Sequence, residues 1–200
     1  MLGLILSRRK REEREKAAKM RDIVNDFSRQ EAFYTSYHVE DTMTGRFDLM
    51  TLVASLVVIR LNKIANKESQ SLVQAFFDVI FRQFDHSLRE SGVGDLSVPK
   101  HMKRMMQGFQ GRAHAYDMIF VRGMDDAGLA LDDAQKYDIL NRNLYNGALD
   151  DMSALARVYP VLQRLADDVM AMDDATILSG QLDFAPVDVH MSETEVRTIV

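Results

Sequence analysis

The chain has 200 residues, 46% hydrophobic and 28% charged, with a formal net charge of −5 and no cysteine. That length and apolar content suffice for one buried core, and the missing cysteines exclude disulfides, cysteine-ligated zinc, thioether-linked haem and iron–sulfur clusters. The longest largely apolar stretch, Leu49 to Ile59, is closed by Asp48 and Arg60; it is about half of what a bilayer span needs, so no transmembrane segment is expected.

At the N-terminus, Leu2 to Leu6 precede a basic cluster, the reverse of a secretory signal's order, and Glu12, Glu13 and Glu15 argue against a transit peptide. An intracellular location follows as the expectation. Residues 8–29 carry Ala17, Met20, Ile23, Val24 and Phe27 at spacings of three and four, which predicts an amphipathic helix with a solvated, partly frayed first half. Between Gln30 and Arg46 the pattern breaks into aromatic and polar residues, as expected of a structured connection with one short helical turn. From Phe47 to about Ile64 the apolar residues are nearly continuous; Val53, Val57, Val58 and Ile59 also suit a buried strand, but length and the lack of turn residues favour a helix.

Leu72, Val73, Phe76, Phe77, Ile80, Phe81, Phe84 and Leu88 follow helical rows so regularly that a strand is excluded. Gly92 and Gly94 then stop this helix. Ser97 is placed to cap a new one, with Pro99 in its first turn, running to about Val121. After Gly123 and Gly128 come a helix near Asp132–Asn146 and another over about Asp150–Met172, bent at Pro160. From Ser179 onward the pattern predicts a loose or extended tail. The expected fold is all-α, a single-domain helical bundle or orthogonal array of about six helices. Its expected parts are a basic helical extension over 1–27, the helical domain over 28–175 and a loosely ordered tail over 176–200.

Charge divides unevenly. Residues 1–123 hold 20 basic and 15 acidic side chains, and residues 124–200 hold 5 and 15. The split suggests either a basic face that meets an anionic surface or internal pairing of the two parts. The run from Arg8 to Arg21, with eight basic and three acidic residues, suits anionic lipid or ribosomal RNA and equally suits a plain solvated helix.

The residues offer little to catalysis. Five histidines, at 38, 86, 101, 114 and 190, lack metal-ligand spacing, and His101 and His114 lie about 20 Å apart along one predicted helix. Gly92-Val93-Gly94-Asp95 lacks the strand, third glycine and lysine of a phosphate loop and reads as a helix stop. Asp85 and Arg89 should pair at i, i+4. The doublets Asp150-Asp151, Asp167-Asp168 and Asp173-Asp174 diverge on a helix and fit a solvated face. No catalytic residue, metal ligand or cofactor site is assigned, and a non-enzymatic binding protein is expected. On the helix after Pro99, Lys100, Lys103 and Arg104 form a basic row beside Met102, Met105, Met106 and Phe109. That surface suits an irregular apolar partner, or is ordinary core packing with a solvated edge. Gly108 and Gly111 would let a neighbouring helix approach closely.

The blocks Phe84-Asp85-His86-Ser87-Leu88-Arg89-Glu90, Gly92 through Lys100, Gly111-Arg112 and Ala115-Tyr116 resemble the central signature of the ubiquinol-cytochrome c chaperone family. Phe33-Tyr34 and Gly45-Arg46-Phe47-Asp48-Leu49 resemble its entry motif, and together the blocks span roughly residues 25–150. The resemblance implies a helical assembly chaperone for the cytochrome bc1 complex, with no cofactor of its own, that binds newly made cytochrome b or another bc1 subunit. Lacking a long presequence, the chain looks like a bacterial relative. It would be cytoplasmic and peripheral at the inner face of the plasma membrane, with the ribosome and anionic lipid as further partners and DNA not among them. The partner-binding residues expected are Lys100, Lys103, Arg104 and Arg112, with Asp85, Arg89, Gly92, Gly94 and Asp95 shaping the adjoining turn. The alternative function is a general ribosome- or RNA-associated protein using the basic N-terminal half.

Overall fold

In a computed structural model, which describes residues 2–187, eight α-helices and one π-helical segment account for the regular structure. The helix α1 (Leu2–Ser28) begins earlier than its periodicity indicates. Its second half buries Ala17, Met20, Val24 and Phe27, because spacings of three and four put them on one stripe. From Arg8 onward its first half is laced by Arg8–Glu12, Arg9–Glu13 and Arg11–Glu15 pairs at 2.9, 3.1 and 3.6 Å.

The expected short turn is α2 (Glu31–Thr35), which buries Phe33 edge-on to Phe27 at 5.5 Å. The nearly continuous apolar run is α3 (Met43–Ile64). It is the hub of the fold, packing against α1, α4 (Lys67–Glu90), α5 (Val98–Tyr116), α6 (Asp133–Leu144), α7 (Met152–Ala171) and α8 (Asp174–Leu178). A helix enclosed on nearly every side has no polar stripe, and its sequence therefore lacks a helical period. Gly45 in its first turn is required by that enclosure: an added Cβ would stand 2.1 Å from the Glu40 carbonyl oxygen.

The helix α4 starts with a reciprocal cap between Asn66 and Ser69 and lies along α1. Its rings extend the core onto α5, with Phe77 and Phe81 at 5.0 and 6.1 Å from Phe109. Ser97 occupies the N-cap position of α5, but its side chain makes no capping bond. The turn is closed by backbone instead, the Gly94 carbonyl accepting from Ser97 N and Val98 N.

The helix expected to reach Val121 changes period at Asp117, and residues Asp117–Arg122 are π-helical. This wider turn is held from α7: the Tyr159 hydroxyl donates to the Ile119 carbonyl at 2.6 Å, and Gln163 Nε2 donates to that of Phe120 at 3.0 Å. Helix α7 runs through Pro160. Asp132, Asp151 and Asp173 each cap a helix, accepting from Gln135 N, Ser153 N and Thr176 N. Two of the sequence's aspartate doublets thus contain an N-cap.

Beyond α8 the chain is extended and anchored as far as Val187. Leu182 is buried, Phe184 stands edge-on to Phe27 at 5.1 Å, and Val187 N donates to Gln30 Oε1. Gly180, with φ +81°, passes within 2.9 Å of the Lys16 backbone as measured from an added Cβ. The last thirteen residues of the expected tail, His190 among them, lie outside the described residues.

Candidate partner-binding face

The corner between α4 and α5 brings several of the expected residues together. Gly92 sits just past the end of α4 with φ +80°, the left-handed conformation that glycine adopts without strain. Its amide donates to the Arg89 carbonyl while Val93 N reaches that of Leu88, and a helix stop of this kind satisfies carbonyls the ending helix leaves free. Arg89 then ties the corner: its guanidinium meets Asp85 at 2.8 Å one turn back and Asp95 at 2.5 Å across the turn. The Arg89 guanidinium holds the Asp85 carboxyl below its ordinary pKa. At the tip of this clamped turn Leu96 is 99% exposed.

Along α5, Val98 and Phe109 face inward and are buried, Met102 and Met105 are half-buried against the core, and Met106 is 48% exposed. Lys100, Lys103 and Arg104 are exposed, and none of them forms an ion pair among the described residues. The methionines divide by burial. The apolar row packs the core, while the basic row and Met106 remain available at the surface.

Arg112 does not belong to that row. It lies twelve residues beyond Lys100, about 18 Å along the axis, and points inward to Asp48 of α3, with Nη2 2.8 Å from Oδ1. Asp48 is fully buried and Arg112 is 20% exposed. Asn146 Nδ2 donates to the other Asp48 oxygen at 3.0 Å, and Arg112 Nε donates to the Asn143 carbonyl. Burial raises the Asp48 pKa, and Arg112 and Asn146 oppose the rise. Nearby, the Tyr116 hydroxyl is buried and has no hydrogen-bond partner among the described residues, and burial pushes its pKa up as well.

Gly108 serves this ion pair. A Cβ there would stand 3.0 Å from Arg112 Nη1, so the glycine makes room for a side chain of its own helix rather than for a neighbouring one. Gly111 has open space around it.

The structure also shows what sequence spacing did not. Helices α1 to α5 converge on a cavity of about 170 Å³ whose lining includes Met43, Phe47, Met50, Phe84, Leu88 and Met105. The family-like blocks Phe33-Tyr34 and Gly45–Leu49 border it, and that clustering is the one signal that could have located it. Among the described residues no group of three or more His, Asp or Glu is arranged to hold a metal ion, and no helix is long and apolar enough to cross a membrane.

The helical scaffold thus presents a clamped apolar turn, a basic row and a methionine-lined cavity on one set of helices. The family model for ubiquinol-cytochrome c chaperones matches residues 35–184, and the chain belongs to that family; it is an assembly chaperone for the cytochrome bc1 complex. It is also similar to the crystal structure of a Cbp3 homolog from Brucella abortus, at 29% identity and a TM-score of 0.73 over 94% of this chain and 98% of that one. No curated protein sequence matches it.

Proposed function

We propose that the protein holds newly made cytochrome b while the bc1 complex assembles, catalysing no reaction itself. The family match over residues 35–184 carries this reading. The face supports it: Lys100, Lys103 and Arg104 form the contact, and the Arg89 clamp with Asp85 and Asp95 presents Leu96 beside them. Gly92 and Gly94 give the turn its shape. Arg112 supports the face from within, through Asp48.

The setting proposed is the cytoplasmic face of the membrane, with the exposed basic half of α1 touching anionic lipid or ribosomal RNA. Three of its arginines are partly neutralised by Glu12, Glu13 and Glu15, so this contact is secondary to the α4–α5 corner. It should weaken steeply as salt rises.

Affinity capture of the tagged protein from its own cells, in mild detergent, tests the reading. The native protein is expected to recover cytochrome b, and the variant Lys100→Glu/Lys103→Glu/Arg104→Glu to recover several-fold less. Equal recovery would remove the basic row from the site. Recovery of ribosomes alone would favour an RNA-associated role.

A further inference from the structure

Resting on the client-binding reading, we infer that the cavity among α1–α5 is the seat for one large apolar side chain of the bound polypeptide, flanked by a carboxylate of the same segment that meets Arg29. The cavity's size sets the first half of this. At about 170 Å³ it is close to the roughly 150 Å³ of a cavity that admits a benzene-sized guest. Its buried wall is Met50 and Phe84, its half-buried wall Phe47, Leu88 and Met105, and Met43, 59% exposed, stands at the surface end. Thioether side chains on flexible stems adapt to differently shaped guests.

The electrostatics set the second half. Among the described residues no aspartate or glutamate lines the cavity, whereas Arg29 and Arg46 both do. Most of the polar lining is already engaged. The Tyr34 hydroxyl donates to the Ser28 carbonyl at 2.6 Å, Asn25 and Gln83 exchange amide hydrogen bonds, and Arg46 pairs with Asp41 at 2.5 Å while lying over the Tyr34 ring. Arg29 is exposed and has no carboxylate partner among the described residues. Among the described residues, the cavity thus combines an apolar interior with one cation beside it that no carboxylate pairs. A guest that is apolar only leaves that cation unused, and a cationic flank is repelled by it.

Methionine-methyl NMR on the full chain reads the cavity directly. The probes are two 12-residue Gly/Ser peptides that differ at one position, one carrying Phe followed by Glu and the other Phe followed by Lys. Titration with the Phe-Glu peptide is expected to shift the Met43, Met50 and Met105 methyls, with the Phe-Lys peptide binding about tenfold more weakly. Arg29→Gln should bring the two peptides to equal affinity, and Met43→Trp, at an exposed position, should abolish the Met50 and Met105 shifts while leaving the thermal transition in place. Equal binding of both peptides to the native protein, retained discrimination in Arg29→Gln, or no shift at these methyls at millimolar peptide overturns the inference. Capture of cytochrome b separates its failure from that of the function. Undiminished capture by Arg29→Gln and Met43→Trp sinks the cavity as the seat and leaves the chaperone reading standing; no capture by the native protein sinks the client.

Discussion

Asp48 and Arg112 show how one buried charge pair ties α5 to the hub helix α3. Removing one partner of a buried pair costs more than the pair contributes, because the other charge is left without compensation. Arg112→Ala strands Asp48, which is fully buried and keeps only the Asn146 amide. A loss of about 3 kcal/mol in urea unfolding is expected, at the low end for buried pairs since Arg112 is partly solvated. Asp48→Asn keeps the shape and leaves Arg112 its bond to the Asn143 carbonyl, so a loss of about 1 kcal/mol is expected. The pH dependence has a definite sign. The Asp48 pKa is raised by folding, so between its unfolded and folded values the native state holds the extra proton. Its contribution to stability is complete below the unfolded value, about 4, and is lost as pH rises through the folded one. The stability advantage of the native chain over Asp48→Asn should therefore shrink on going from pH 3.5 to pH 7. An advantage that grows with pH would mean that Arg112 outweighs burial. None of this was visible in the sequence, because the partners are 64 positions apart and Arg112 stands in a segment whose other arginine and lysines face solvent.

Among the elements, local pattern was enough wherever a helix has one dry side. The rows from Leu72 to Leu88 predicted α4, and Gly92 predicted its end, since both depend only on neighbours in the chain. The π-helical segment was not predictable in the same way. Its carbonyls are taken by Tyr159 and Gln163 of α7, a partner about forty residues downstream. Glycine gives a sharper contrast, because the same residue type has opposite roles in two helices. Gly45 is crowded by the Glu40 carbonyl, whereas a Cβ on Gly111 meets nothing within 4 Å. Gly45→Ala should lower stability by about 2 kcal/mol despite the better helix propensity of alanine, since the preceding loop has to move. Gly111→Ala should raise stability by about 0.5–1 kcal/mol, through propensity alone. Thermal unfolding of the two variants tests both signs. Stabilisation by both would show that the Glu40 loop yields freely.

At the scale of the whole molecule, the segment the family model matches and the segment that folds are different things. The match begins at residue 35, yet α1 and α2 contribute Met20, Val24, Phe27 and Phe33 to the core. The C-terminal segment closes onto them through Phe184 against Phe27 and Gly180 against Lys16. The C-terminal segment is thus held against the second half of α1. Fully burying each of those four side chains contributes roughly 1.5–3 kcal/mol, so together they supply about 6–12 kcal/mol. A domain's net stability is itself about 5–15 kcal/mol. A chain shortened to begin at Thr35 is therefore expected to lose cooperative unfolding and near-ultraviolet dichroism while keeping much of its helical far-ultraviolet signal. The cavity proposed as the client's seat should vanish with it, because Asn25 and Ser28 of α1 and the adjoining Arg29 form one of its walls. A cooperative transition within a few degrees of the intact chain's would show that α1 is an attachment to the fold, and would move the seat away from it. The basic first half of α1 allows a further separation. A chain begun at Lys16 retains every α1 residue that is buried among the described side chains, so its stability should be unchanged while any salt-sensitive attraction to anionic vesicles falls. Loss of stability in that variant would place the exposed arginines inside the folding unit and not at a surface contact.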